Sequence, residues 1–283
     1  MSWYAGTPTR TVSIGVREIR YLRTGSGPTL VLLHTLRTQL EYFFPLLVKL
    51  EGRFEVVVPD LPGHGRSSCP AVEYTAGYFT ETVAQFVEAL DLADVTVVGE
   101  SIGASVALSL AARKPRWLAR AIALNPYDYG VGGGIRRSSA LANILFSLML
   151  WPGVGSLVLG SSTKGILRKL LEGGVVDSAN LPAELVDELW TCGRLPGHDR
   201  AFLSVLRQWK TWLDARDSYT ANGTPVTLMY GDLDWSYEAD RIANQQKLLP
   251  AQYMITDHCS HFSCLDRPDR IANIIRDAVN ARC

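Results

Sequence analysis

The segment VTVVGESIGASVALSLAARKP constrains the fold of this chain more than any other stretch, because it joins a strand pattern to a helix pattern. Val95–Val98 is a β-branched run typical of a strand, and Ala104–Arg113 has the small and apolar composition of a buried helix. Between them Ser101 lies in a G-x-S-x-G pattern with Gly99 and Gly103. A serine in a sharp strand-to-helix turn is held in a strained conformation that exposes its hydroxyl at the top of a sheet.

The two glycines have a steric explanation. Side chains two residues before and after the serine would collide in such a turn, so the pattern predicts that Gly99 and Gly103 are required. The backbone N–H of Ile102 would lie at the helix N-terminus, where it can stabilise a developing oxyanion. We therefore predict that Ser101 is a nucleophile.

The rest of the chain alternates between strand and helix patterns. Residues 11–23 resemble an antiparallel hairpin at the sheet edge, and the apolar runs after it are typical of buried parallel strands. This alternation predicts an α/β fold with a doubly wound, mostly parallel sheet. The predicted buried strands are Thr29–Leu33, Phe54–Val58, Val95–Val98, Leu118–Leu124, Val226–Tyr230 and Gln252–Thr256.

The alternation stops between Tyr127 and Ala221, where helical patterns occur without a convincing strand. We predict a core domain formed by residues 1–126 and 222–283, and a helical cap formed by residues 127–221. Such a cap would cover the carboxyl edge of the sheet, where α/β proteins bind ligands. Its predicted helices are Ser139–Trp151, Thr163–Leu171, Ala183–Trp190 and Asp199–Leu213.

Two acids and two histidines follow the last two predicted strands. A serine nucleophile needs a base, and the base needs an orienting acid. Asp232 and Asp234 follow one strand, and His258 and His261 follow the next, all on the same sheet edge as Ser101. The order serine, acid, histidine favours a triad. We favour Asp234 and His261, with Asp232 and His258 as alternatives that would otherwise cap turns.

Five pieces of the sequence together resemble the capped α/β-hydrolase fold enzymes, of the epoxide-hydrolase-like and esterase-like branch. The resemblance places the acid three residues after Gly231, at Asp234, and the histidine directly before Phe262, at His261. A serine nucleophile sets this chain apart from the members that use aspartate. The matching pieces are Leu33-His34, Asp60–Ser67, Gly99–Gly103, Gly231–Asp234 and Ser260–Phe262 before Asp266-Arg267-Pro268.

The resemblance also locates the second donor of an oxyanion hole. It implies that the N–H of Leu36 acts beside that of Ile102, although Thr35 stands where the family usually has glycine. The Thr35 hydroxyl and Trp235 are candidates for substrate contact. Arg37 could bind a substrate carboxylate, but a solvated loop arginine is the interpretation we favour.

An uncharged stretch, Ala140–Gly160, opens the predicted cap. Pro152-Gly153 interrupts it, which leaves an apolar helix too short to span a membrane. The helix could pack on the sheet, line an apolar pocket, or contact a lipid surface or a second subunit, as in a homodimer. We favour the pocket, with lining candidates Leu145, Phe146, Leu148, Met149 and Trp151.

Composition excludes several classes. Lys plus Arg and Asp plus Glu both number 28, so no charge bias indicates a nucleic-acid partner. The five cysteines are scattered without a C-x-x-C pair, which predicts free thiols and no metal site. The first 15 residues lack a signal-peptide pattern, so we expect a cytoplasmic protein.

These features predict a serine hydrolase that needs no cofactor and cleaves an ester, thioester or other activated acyl bond of a small hydrophobic substrate. A carbon–carbon bond hydrolase is a variant of the same chemistry. The alternative class is a non-hydrolytic use of the fold, as a cofactor-free lyase or a ligand sensor with slow turnover. Fold alone does not choose among these.

Overall fold

The computed structural model of this 283-residue chain describes residues 8–129, 133–221 and 223–281. Residues 1–7, which begin the stretch without a signal-peptide pattern, lie outside these ranges. So do Cys283 and residue 222, the predicted start of the second core segment. Cys69, Cys192, Cys259 and Cys264 are free thiols, as predicted.

Over these ranges the sheet has eight strands in the order β1-β2-β4-β3-β5-β6-β7-β8. Neighbours from β4 to β8 pair in parallel, while β1 and β2 form the predicted antiparallel hairpin at one edge and β2 pairs antiparallel with β4. The strands are β1 Thr9–Ile14, β2 Arg17–Gly25, β3 Thr29–Leu33, β4 Glu55–Pro59, β5 Val95–Glu100, β6 Leu118–Leu124, β7 Val226–Gly231 and β8 Gln252–Thr256.

Helices cover both faces of the sheet, which explains why its central strands are apolar throughout. Successive residues of β5 point to opposite faces. Val97 belongs to the apolar cluster that contains Phe79, and Val98 belongs to the one that contains Ile275. The doubly wound α/β fold is therefore confirmed. The helices that supply these clusters include α1 Phe44–Leu50, α2 Ala76–Ala89, α3 Ile102–Arg113 and α12 Pro268–Asn280.

In the described residues between β6 and β7 there are six α-helices, and we call them the inserted helices. Four of them, α4, α5, α6 and α8, share an apolar cluster that includes Phe146, Leu170 and Phe202. The division into core and cap domains stays a prediction. The inserted helices are α4 Ala140–Met149, α5 Val154–Gly160, α6 Lys164–Glu172, α7 Ala183–Cys192, α8 His198–Arg207 and α9 Trp209–Ala215; α10 Glu238–Lys247 and α11 Ser263–Asp266 follow β7 and β8.

Two helix predictions in this region were wrong in detail. The predicted helix Ser139–Trp151 ends at Met149, and a separate α5 follows Gly153, whose φ of 78° breaks the helical path. The predicted helix Asp199–Leu213 is two helices that meet at Gln208. Over the described part of the chain, no helix combines the length and the apolarity needed to cross a membrane.

Candidate active site

The serine turn has the geometry that its sequence predicts. Ser101 lies between β5 and α3 with φ 57° and ψ −117°, a strained conformation for a residue with a side chain. A Cβ added at Gly99 would lie 2.0 Å from the carbonyl oxygen of Gly103, and one added at Gly103 would lie 2.1 Å from that of Leu33. Because these neighbours are backbone atoms, only glycine fits at either position.

The structure brings the three favoured residues together. The Ser101 Oγ lies 3.0 Å from His261 Nε2, and His261 Nδ1 lies 2.6 Å from Asp234 Oδ1. All three side chains are buried. Since a carboxylate only accepts hydrogen bonds, Nδ1 carries the proton and Nε2 accepts from the Ser101 hydroxyl. The arrangement can remove a proton from Ser101 and hold the resulting imidazolium.

The alternative acid and base lie elsewhere. Asp232 is exposed and accepts a hydrogen bond from the backbone N–H of Cys259 at 2.9 Å, so it holds the turn after β8. His258 is exposed in that turn with φ 50°. Neither contacts Ser101.

The charge state of Asp234 suits an orienting acid. Burial would raise the pKa of this carboxyl, but the charge and hydrogen bond of His261, with hydrogen bonds from Ser236, hold the pKa below its ordinary value. The backbone N–H of Ser236 donates to Asp234 Oδ2 at 2.9 Å. Asp234 therefore stays ionised beside His261.

Glu100, directly before Ser101, connects the serine turn to the histidine loop. Its buried carboxyl accepts hydrogen bonds from the Tyr42 hydroxyl and from the Ser263 hydroxyl and N–H, the last at 2.6 Å. Burial raises its pKa. Ser263 lies two residues after His261, so this network positions Ser101 and His261 relative to each other.

Asn125, which closes β6, ties the acid and histidine loops together. Its amide nitrogen donates to the carbonyls of Ser260 at 3.2 Å and His261 at 3.0 Å, and its Oδ1 accepts from Gly231 N–H at 2.9 Å. Sequence reasoning missed this residue. The only sequence signal was an asparagine at a strand end before proline, a pattern that also fits an ordinary turn.

Trp235 supports the imidazole directly. Its ring stacks on that of His261 with centroids 4.0 Å apart and planes 15° apart, and its Nε1 donates to the Gly173 carbonyl at 3.0 Å. The Tyr129 hydroxyl lies 3.3 Å from His261 Nδ1. Trp235 also lines the cavity over Ser101, and its contact with the substrate stays a prediction.

The loop after β3 lies beside the serine turn. Thr35 and Leu36 line the same cavity as Ser101, and Ile102 is the first residue of α3. The Thr35 hydroxyl donates to the Leu36 carbonyl at 3.3 Å. His34 fixes this loop by accepting a hydrogen bond from Leu61 N–H at 2.9 Å, and burial lowers its pKa to about 4, which keeps it neutral.

An apolar cavity covers Ser101 and His261. It contains about 740 Å³ of space, part of it open to solvent, and the inserted helices form much of its wall. Of the predicted lining residues, Phe146 and Met149 line it. Leu145 does not; it is half-buried and packs against the cluster of the inserted helices. Lining residues that the sequence analysis missed include Leu159, Leu167, Leu170, Trp190 and Phe202.

The favoured interpretation of Arg37 as a solvated loop residue was wrong. Its side chain is 21% exposed, lines the cavity, and places Cζ 4.8 Å from the centroid of the Phe202 ring. The sequence shows only a loop position, and α8, which supplies Phe202, lies more than 160 residues away in the chain. Leu148 and Trp151 are also not among the cavity residues, and Trp151 is 62% exposed.

Comparisons with known proteins agree with this architecture. The chain is 28% identical over 272 residues to an uncharacterized protein of Mycobacterium tuberculosis, with 89% of this chain and 75% of the relative covered. It is 30% identical over 120 residues to the 2-(acetamidomethylene)succinate hydrolase of Mesorhizobium japonicum, with 42% and 43% covered. The crystal structure of Cfl2 from Burkholderia cenocepacia matches with a TM-score of 0.82 at 20% identity, over 95% of this chain and 94% of that one.

The sequence profile of one family spans nearly the whole chain. The profile, described as the alpha/beta hydrolase family, matches residues 30–274, which include the serine turn and the loops that carry Asp234 and His261. The likeness to Cfl2, at 20% identity, concerns the fold alone and covers 95% of this chain. With the strand order and the serine turn described above, this match shows that the chain belongs to the alpha/beta hydrolase family.

Proposed function

We propose that this protein is a serine hydrolase that cleaves a carboxylic ester, or a related acyl bond, of a small and largely hydrophobic substrate through an acyl-enzyme. One observation carries the proposal: hydrogen bonds connect Ser101 to His261 and His261 to Asp234, and an apolar cavity lies over Ser101 and His261. Buried polar groups are costly unless they are paired, and these three are paired in the order that activates a serine.

In the acylation step, the Ser101 Oγ attacks the acyl carbon while its proton moves to His261 Nε2. Asp234 stabilises the imidazolium that forms. The tetrahedral intermediate then breaks its bond to the leaving group, which takes the proton from His261. The products of this step are the acyl-enzyme on Ser101 and a free alcohol.

In the second step, water hydrolyses the acyl-enzyme. His261 takes a proton from a water molecule whose oxygen attacks the acyl carbon, and Ser101 leaves with that proton. The products are the free carboxylic acid and the original enzyme. In both steps we assign stabilisation of the oxyanion to the N–H groups of Leu36 and Ile102, each donor being worth about 10²–10³ in kcat.

The inserted helices would act as the cap that defines the substrate. Phe146, Met149 and Trp190 line the cavity from three positions on these helices. An apolar wall favours a substrate whose acyl or alcohol part removes hydrocarbon surface from water when it binds.

The test combines an activity assay with a covalent label. We expect the protein to hydrolyse p-nitrophenyl acetate and butyrate and to be labelled by a fluorophosphonate. The Ser101→Ala variant, with its Tm unchanged, should lose the label and at least about 10³-fold in kcat.

The same experiment separates the alternatives. Labelling of Ser101 without turnover of any ester supports a sensor or a lyase rather than a hydrolase. Activity of Ser101→Ala close to that of the wild type contradicts the assignment of Ser101 as the nucleophile.

A further inference from the structure

Arg37 carries a positive charge that its protein surroundings leave largely uncompensated. Its side chain is 21% exposed, and the carboxylate paired with it, Asp199, lies 3.8 Å away with half of its own side chain exposed to water. Burial lowers the pKa of Arg37, with a further contribution from Arg194, against the opposing charge of Asp199. Such a pair is too long and too solvated to repay the desolvation of a guanidinium.

Arg37 also lacks hydrogen bonds to the residues that the structure describes. A guanidinium has five N–H donors, and within the described residues those of Arg37 make no hydrogen bond to the protein. Arg20, a comparably buried arginine, instead donates to both Asp60 and Glu41. Arg20 therefore belongs to a structural ion-pair network, whereas Arg37 donates no hydrogen bond to the described part of the chain.

The donors of Arg37 border the candidate active site. Arg37 lines the cavity that contains Ser101, and among the described lining residues it is the one with a permanent charge. Its guanidinium lies against the Phe202 ring, which holds the cation without using its N–H groups. Arg37 and Phe202 also border a smaller neighbouring cavity that contains the polar residues Thr38 and Gln39.

We infer that Arg37 binds a carboxylate on the substrate, so that the substrate is an anionic acyl compound with an apolar body. The guanidinium fork matches the two oxygens of a carboxylate, and the apolar cavity walls strengthen the pair by excluding water. The reaction assigned to this substrate rests on the proposed hydrolase function, but the binding of the carboxylate does not.

Binding of a matched pair of ligands tests the inference without any turnover. Hexanoate and hexanamide have the same chain and differ in charge, and calorimetry can compare their Kd values for the wild-type protein. We expect hexanoate to bind about 10- to 100-fold more tightly, since that is the range for hydrogen bonds to charged groups. Arg37→Gln should abolish the difference.

Two further variants control for misfolding. Arg37→Lys keeps the charge and should retain part of the preference for hexanoate. Asp199→Asn removes the exposed competing carboxylate and should tighten hexanoate binding, with the Tm close to that of the wild type. Equal binding of the two ligands to the wild type, no binding of either, or an unchanged preference in Arg37→Gln would overturn the inference.

A turnover comparison separates this inference from the proposed function. Mono-p-nitrophenyl glutarate and p-nitrophenyl pentanoate share a leaving group and differ by a terminal carboxylate. We expect a higher kcat/KM for the glutarate in the wild type and no advantage in Arg37→Gln. Carboxylate binding that depends on Arg37 without hydrolysis of either ester would keep this inference and contradict the hydrolase. Hydrolysis of both esters without a preference for the glutarate would support the hydrolase and contradict this inference.

Discussion

At the scale of single residues, Gly103 is a position where one methyl group decides stability. Gly103→Ala would place a Cβ 2.1 Å from the Leu33 carbonyl oxygen, so β3 or α3 would have to move. We expect a loss of about 3 kcal/mol or more in the free energy of unfolding, measured by urea denaturation. Gly160→Ala is the matched control, because a Cβ at this helical glycine meets nothing within 4 Å. A similar stability change in both variants would contradict the steric explanation.

Asp232 and Asp234 are two residues apart, and we expect their asparagine variants to differ strongly in kcat. In Asp234→Asn the one amide oxygen accepts from Ser236 N–H, so the amide NH2 faces His261 Nδ1 and favours the wrong tautomer; we expect kcat to fall by about 10⁴-fold. Asp232→Asn can still accept the hydrogen bond of Cys259, so its kcat should stay within about threefold of the wild type. Ester hydrolysis by both purified variants measures the difference. A larger loss for Asp232→Asn would contradict the assignment of the acid.

At the scale of elements, α4 separates the pocket interpretation from simple packing. Met149 is buried and lines the cavity, whereas Ile144 on the same helix is 58% exposed. Met149→Gln should raise KM about 5- to 20-fold for p-nitrophenyl octanoate and much less for the acetate, because only the longer chain buries surface against this side chain. Ile144→Gln should leave both KM values unchanged. Equal effects of Met149→Gln on the KM values of both esters would contradict the pocket interpretation and leave packing as the role of α4.

The composition of α4 explains why the sequence analysis chose residues that do not line the cavity together with the two that do. Apolar residues occupy nearly every position of this helix, on all of its sides, so its sequence pattern does not single out one face. Phe146 and Met149 line the cavity, while Leu145 packs among the inserted helices. Packing of α4 against the other inserted helices decides between these faces.

At the scale of the whole molecule, Asp128 couples stability to pH. Its carboxyl is buried after β6 and accepts a hydrogen bond from Asn244 at 2.9 Å, and burial raises its pKa to about 7. The folded protein therefore binds a proton between about pH 4 and 7 that the unfolded chain has released. The stability that Asp128 contributes is full below this range and is lost as the pH rises through 7.

Asp128→Asn mimics the protonated form at every pH. The free energy of unfolding of this variant, relative to the wild type, should rise by about 2–3 kcal/mol between pH 5 and pH 8, since one pKa unit corresponds to about 1.4 kcal/mol. Urea denaturation at the two pH values measures the change. Parallel pH profiles for the two proteins would show that Asp128 does not retain the extra proton.

The sequence by itself determined the features that depend on local geometry and chain order. Apolar runs that alternate with helical patterns predicted the doubly wound sheet, since a strand buried on both faces has no room for polar side chains. The serine turn was predictable because the steric need for Gly99 and Gly103 arises within a few residues and from the adjacent strand. The positions after β7 and β8 indicated two acids and two histidines because parallel strands end at one sheet edge, and the resemblance to the family favoured Asp234 and His261 among them.

Only the tertiary structure decided which side chains meet across the chain. Asn125, Trp235 and Glu100 support His261 and Ser101 through contacts between separate loops, and no local pattern encodes such contacts. Arg37 is the clearest case, because its sequence context is an ordinary loop. Its burial depends on Phe202 and Asp199 of α8, and the free energy of a charge is set by the groups packed around it.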